Sequence, residues 1–175
     1  MAEPFNNHPP SNLTLCLVER VLSQGEARLN AQLQIALAAD SRAMTSASIF
    51  VGVASALVGY AGFVFSTTTP NLPLGIAALI GGAAMMVSAI LCAFAARPTE
   101  FRLVGANPDN WWQDDVTNKP YSECIWRESQ NYSTRIRENV STLGTNAARV
   151  NLAMMIAVCT PAICLLSWAV VRAAS

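Results

Sequence analysis

No charged side chain occurs between residues 43 and 96, and none between residues 150 and 171. Water would meet uncharged stretches of that length at the surface of a soluble domain. A bilayer core about 30 Å thick is instead crossed by roughly 20 apolar helical residues, each segment satisfying its own backbone polar groups. The lack of charge excludes a soluble globular protein and points to an integral membrane protein. Histidine is nearly missing too: His8 stands alone. Cys16, Cys92, Cys124, Cys159 and Cys164 show no C-x-x-C spacing and read as unpaired, and no glycine-rich phosphate loop occurs. These absences remove the usual nucleophile–base pairs, zinc sites and nucleotide-hydrolysing loops. No catalytic residue, metal ligand or cofactor is assigned, and the expectation is a protein that is not an enzyme. The adjacent acids Asp114 and Asp115 read as a solvated turn. Formal net charge is zero, which argues against a nucleic acid held by phosphate neutralisation.

What is present is apolar: 53 % of residues are hydrophobic and 13 % charged, and the excess lies in the uncharged stretches. Residues 1–12 are rich in Asn and Pro and read as a disordered tail without a cleavable signal. Over residues 13–42, Leu15, Val18, Leu22, Leu29, Leu33, Ala36 and Leu37 recur at helical steps between charged residues, the pattern of an amphipathic helix. Gly25 interrupts that stripe and reads as a bend. The uncharged block 43–96 is a transmembrane hairpin with spans at 44–65 and 74–96, turned by STTTPNLP and stopped at Arg97-Pro98. Residues 97–149 form a polar loop, irregular as far as Pro120, and then a second amphipathic helix with Ile125, Tyr132, Ile136, Val140, Leu143 and Ala147 on one face. The third span is 150–171, with a kink expected at Pro161. The fold class is therefore an all-α integral membrane protein, three transmembrane helices with two amphipathic cytoplasmic helices. The two amphipathic helices are expected to cover each other's apolar stripes. Ten basic residues lie before span one or between spans two and three, against Arg172 alone beyond span three. By the positive-inside rule the N-terminus and the large loop are cytoplasmic and the C-terminus periplasmic. The sequons at Asn12, Asn131 and Asn139 then stay unglycosylated.

Three groups of residues stand out. In span one Thr45, Ser48, Gly52, Ser55, Gly59 and Gly62 place small side chains on one helical face, a seam for close backbone approach. The favoured reading packs it against Gly75, Ala78, Gly82 and Ala89 of span two; the alternative is a subunit interface. In the loop, GANPDNWWQDD offers Trp111 and Trp112 for stacking on a planar ligand and Asn107 for reading an amide-like edge, with Arg102 nearby for a phosphate. An interfacial tryptophan belt fits the same residues equally well. At the head of span one, Asp40 and Arg42 suit a structural gate, paired near Arg149 or with lipid phosphate.

The stretch AADSRAMTSASIFVGVASAL, a short hairpin, a second span ending in Arg97-Pro98, a polar stretch and an amphipathic helix entering a last span follow one another in this chain. That order resembles the small transmembrane effectors of the Pycsar antiphage systems (the PycTM family). Asp40, Arg42, Ala43, Arg97 and Pro98 carry the match, and the similarity covers the chain from about Ala31 onward. The resemblance implies a bacterial inner-membrane effector with a cognate cyclase. Cyclic UMP or cyclic CMP would activate it, and it would impair membrane integrity in abortive infection as a homo-oligomer in contact with lipid. Two other readings remain: a membrane anchor that recruits a cytoplasmic partner through its amphipathic helices, and a holin-like permeabilising protein.

Overall fold

The computed structural model describes residues 15–97, 101–105 and 118–174. Three α-helices, and no strand, occur among them: α1 (Leu15–Ser66), α2 (Leu72–Ala95) and α3 (Tyr121–Ala174). Each contains a segment long and apolar enough to cross a membrane, so the protein is an all-α membrane protein. As the absence of a turn signal at residues 40–44 leads one to expect, each amphipathic helix runs straight into its span. α1 runs through residues 42–44 and α3 through residues 149–150 as single helices.

The helix ends follow from local chemistry. α1 stops where Ser66 Oγ and Thr67 Oγ1 donate to the Phe63 and Val64 carbonyls at 2.8 Å, satisfying acceptors that have no further turn to pair with. Asn71 caps α2: its backbone carbonyl accepts from the Leu74 and Gly75 amides at 3.1 Å, and Pro73 occupies the first turn, where a missing N–H costs nothing. α3 opens on the Pro120 carbonyl, has Glu123 in its first turn and Arg172 in its last, both matched in sign to the helix dipole. It continues through Pro161. Thr160 beside that proline is buried and returns its hydroxyl to the Ile156 carbonyl at 2.9 Å.

The chain divides into two compact units, residues 1–36 with 99–142 and residues 37–98 with 143–175. In unit 2 the core is made of Ala47 and Phe50 of α1, Ala89 and Cys92 of α2, and Ala153 and Ala157 of α3. Four alanines among six core residues mean that the backbones lie close, the condition for dispersion contacts to hold helices together in lipid. α2 has the most covered span, with 39 % of its most apolar window buried against 22 % for α1 and 6 % for α3. Its glycines show why: Gly75 lies against the Phe65 ring, Gly81 against Cys164 Sγ, and a Cβ on Gly82 would come 3.0 Å from Val58 Cγ2.

The small-residue seam of α1 is turned elsewhere. α1 meets its neighbours through Ala43, Ala47, Phe50, Ala54, Ala61 and Val64, whereas Thr45, Ser48, Gly52, Ser55, Gly59 and Gly62 are exposed. A Cβ built on Gly52, Gly59 or Gly62 meets nothing within 4 Å. This corrects the expected pairing of the seam with α2, and the physical reason is that alanine also permits close approach. The hydroxyls of Thr45, Ser48 and Ser55 donate to carbonyls four residues back at 2.9–3.0 Å, so an apolar environment leaves none of them unpaired.

Candidate functional site

In unit 1, α1 and α3 form a parallel pair. Gly25 faces the Tyr132 ring and Gln32 faces Asn139, steps of seven residues along both helices. The covered positions are Val18, Leu22, Gly25, Leu29 and Gln32 on α1 and Ile125, Ser129, Tyr132, Ile136 and Asn139 on α3. Each set alternates four- and three-residue intervals, the heptad rhythm of a coiled coil. α1 stays helical through Gly25; a Cβ there would come 3.1 Å from Tyr132 Cδ2, so the glycine makes room for the ring. Val140, expected on the covered face, is 51 % exposed, and Asn139 occupies that face at 1 % exposure.

A buried amide must spend its hydrogen bonds, and Asn139 does so on the segment 101–105. Its Oδ1 accepts from the Arg102 amide at 3.0 Å and its Nδ2 donates to the Arg102 carbonyl at 3.0 Å, a pairing like that of a neighbouring β-strand. The same Nδ2 lies 3.4 Å from Gln32 Oε1, and Gln32 Nε2 donates to the Ile136 carbonyl at 3.3 Å. Two polar residues thus sit in the seam and fix the register of the helix pair, and one of them, Asn139, clamps the chain that follows α2.

The far end of the segment is held as well. The Gly105 amide donates to Tyr132 Oη at 3.2 Å, and Arg135 Nη1 donates to the Gly105 carbonyl at 2.9 Å and reaches the Leu103 carbonyl at 3.4 Å. Gly105 has φ +98°, a conformation that a side chain would strain. The Arg135 guanidinium stacks 5.4 Å from the Tyr132 ring centroid and lies 3.6 Å from Glu128 Oε1. That last contact is a charge pairing too long for a hydrogen bond, and Glu128 Oε1 has no hydrogen-bond partner among the described residues.

Burial pushes the Tyr132 phenol above the ordinary value near 10, with the Glu128 and Glu26 charges acting in the same direction and the Gly105 amide and Arg135 opposing them. The folded state therefore holds this proton more tightly than the unfolded chain does. Its contribution is fully present below the ordinary tyrosine value and is lost as pH rises through it towards the raised one. Alkaline titration of thermal stability should show this loss in the wild type, and Tyr132→Phe should flatten it while costing about 1 kcal/mol at neutral pH for the lost Gly105 bond. An unchanged alkaline limb in that variant would remove the assignment.

Of the residues singled out from sequence, Arg102 lies in the clamp, but through its backbone. Its Nε pairs with Glu138 Oε2 at 3.2 Å with both side chains more than half exposed (55 % and 54 %), a geometry worth little stability. Asn107, Trp111 and Trp112 lie outside the described residues, as do Pro98, Asp114 and Asp115. Asp40 is half-buried and Arg42 exposed, and among the described residues neither joins an ion pair; the Arg149 guanidinium reaches Asn146 Oδ1 at 3.4 Å. Gly52, Gly59 and Pro161 are exposed on unit 2. Tyr132 is covered as expected from its place on the apolar face, whereas Gln32, Arg135 and Asn139 are residues that sequence reasoning missed. The signal available was the heptad spacing, hidden because Gly25, Gln32, Ser129 and Asn139 are not apolar. No protein-family model, no curated protein and no solved structure matches the chain.

Proposed function

We propose that this protein is a ligand-gated effector of a bacterial inner membrane, activated by a cyclic pyrimidine nucleotide from a cognate cyclase and acting as a homo-oligomer that breaches the membrane during abortive infection. The observation that carries the reading is the clamp. Residues 101–105 are tied to a helix pair whose two members, α1 and α3, each also supply a membrane-crossing segment. A ligand that binds better to the released segment than to the clamped one shifts the balance between two states, and it shifts it only by that difference in affinity. The base-stacking and amide residues assigned from sequence, Trp111, Trp112 and Asn107, follow this segment directly.

The exposed seam of α1 supplies the second half of the reading, since small residues facing away from the chain's own helices suit a neighbouring copy. Within the spans of unit 2 no charged residue lies between 43 and 96 or between 150 and 171, so ion-coupled transport lacks its usual groups and a lesion requires several copies. The N-terminus and residues 97–149 are taken as cytoplasmic, from the basic-residue asymmetry.

The test is dye leakage from liposomes holding the full chain, with cyclic UMP, cyclic CMP and their linear monophosphates added separately. Leakage with one cyclic pyrimidine nucleotide alone is the expected result, and Trp111→Ala should lower the response at unchanged protein level. Leakage without nucleotide would point to a holin-like protein instead. No leakage under any condition would favour an anchor.

A further inference from the structure

We propose that unit 2 carries a specific site for one anionic phospholipid, with an acyl chain in a groove between the three helices and the headgroup phosphate on Arg172. The groove encloses about 370 Å³, within the range of roughly 300–1,000 Å³ typical of small-molecule sites. Leu57 and Tyr60 of α1, Leu74 and Ala78 of α2, and Cys164 and Trp168 of α3 form its walls. Its existence follows from side-chain size: Ala77 and Ala78 are too short to fill the space between α1 and α3, while one turn further Cys164 Sγ closes onto Gly81. Such a cavity gives water too few polar partners and takes an apolar occupant.

The charge at the rim selects among apolar occupants. One helical turn beyond Trp168, the Arg172 guanidinium lies 5.1 Å from that indole's centroid, on an exposed residue at the end of α3. The one acidic side chain among the described residues of unit 2 is Asp40, and it lies some 20 residues before Tyr60, at the other end of the α1 span. No acidic side chain among the described residues of the unit is therefore within reach of Arg172. A second copy of this chain would bring another arginine to the same level, so like charges disfavour it as occupant. A phospholipid of net negative charge meets both demands: a chain for the groove and a phosphate for the guanidinium, with Trp168 and Tyr60 at the depth where amphipathic rings sit.

Native mass spectrometry of the full chain, equilibrated in detergent with equimolar phosphatidylglycerol and phosphatidylcholine of identical chains, tests the site. One phosphatidylglycerol per chain should be retained, in about fivefold preference, the value of one basic contact at a membrane surface. Arg172→Gln, an exposed change that leaves the helices intact by circular dichroism, should bring the two lipids to equal retention. Leu74→Trp should fill the groove and remove retention of both. Equal retention by the wild type, a preference that survives Arg172→Gln, or no retained lipid would each overturn the proposal. The site is independent of the nucleotide response, which none of these outcomes addresses.

Discussion

Replacing Asn139 by leucine should free residues 101–105 from the helix pair. The side chain is buried and makes two hydrogen bonds to the Arg102 backbone, so its loss leaves a backbone N–H and a carbonyl without partners and strips Gln32 Oε1 of its donor. Each orphaned buried group costs about 1–3 kcal/mol, partly recovered if the segment lifts into water. The expected reading is local: exchange of the Arg102 and Gly105 amides with deuterium should accelerate on the order of 30- to 100-fold, about 2–3 kcal/mol, while amides of α2 keep their protection. Unchanged exchange at Arg102 would sink the clamp. In the double variant Gln32→Leu with Asn139→Leu, the helix pair itself should regain stability, because two apolar residues replace two amides at seam positions. The segment should remain free. If the clamp is the gate of the proposed effector, the single variant should also leak without nucleotide.

The architecture was legible at the level of spans, because uncharged runs of span length have one physical solution, and α2 differs from its expected limits by one or two residues only. The continuity of α1 and α3 was legible too. No turn residue accompanies the change of composition after Arg42, so the side chains become apolar there while backbone hydrogen bonding continues. The helix pair was half legible. Val18, Leu22, Leu29 and Ile125 mark the seam as apolar residues should, yet the positions that define its register are Gly25, Gln32 and Asn139, which hydropathy discards. Asn139 drew notice from sequence only as a sequon, and its burial now accounts for its lack of room for a glycan. The clamp on Arg102 could not be found at all from the sequence, since it joins a side chain to a backbone 37 positions away. Small residues in span one illustrate a different limit: periodicity picked out a face of small groups, but which of two small-residue faces the chain's own helices cover is not written in the spacing, and here it is the alanine face.

Two glycines on neighbouring spans should respond in opposite ways to the same substitution, and that contrast separates folding from assembly. Gly81→Leu puts a side chain where Cys164 Sγ already lies, with Leu57 Cδ1 at 3.3 Å and Thr160 Cγ2 at 3.6 Å from the new Cβ, so α2 and α3 must move apart. That variant should lose a few kcal/mol, as overpacked cores do, and be depleted in the membrane. A Cβ on Gly59 meets nothing within 4 Å, and leucine is the better helix former, so the single Gly59→Leu chain should insert and fold as the wild type does. A leucine on that face nevertheless holds a neighbouring backbone several ångströms off, which removes the close approach on which association in lipid depends. Chemical crosslinking in vesicles should therefore show wild-type oligomers for the native chain and monomers for Gly59→Leu, and nucleotide-triggered leakage should fall by about tenfold or more in the variant. Wild-type crosslinking and leakage with Gly59→Leu would place the subunit contact on another face, of which the sparsely covered span of α3 is the largest left open.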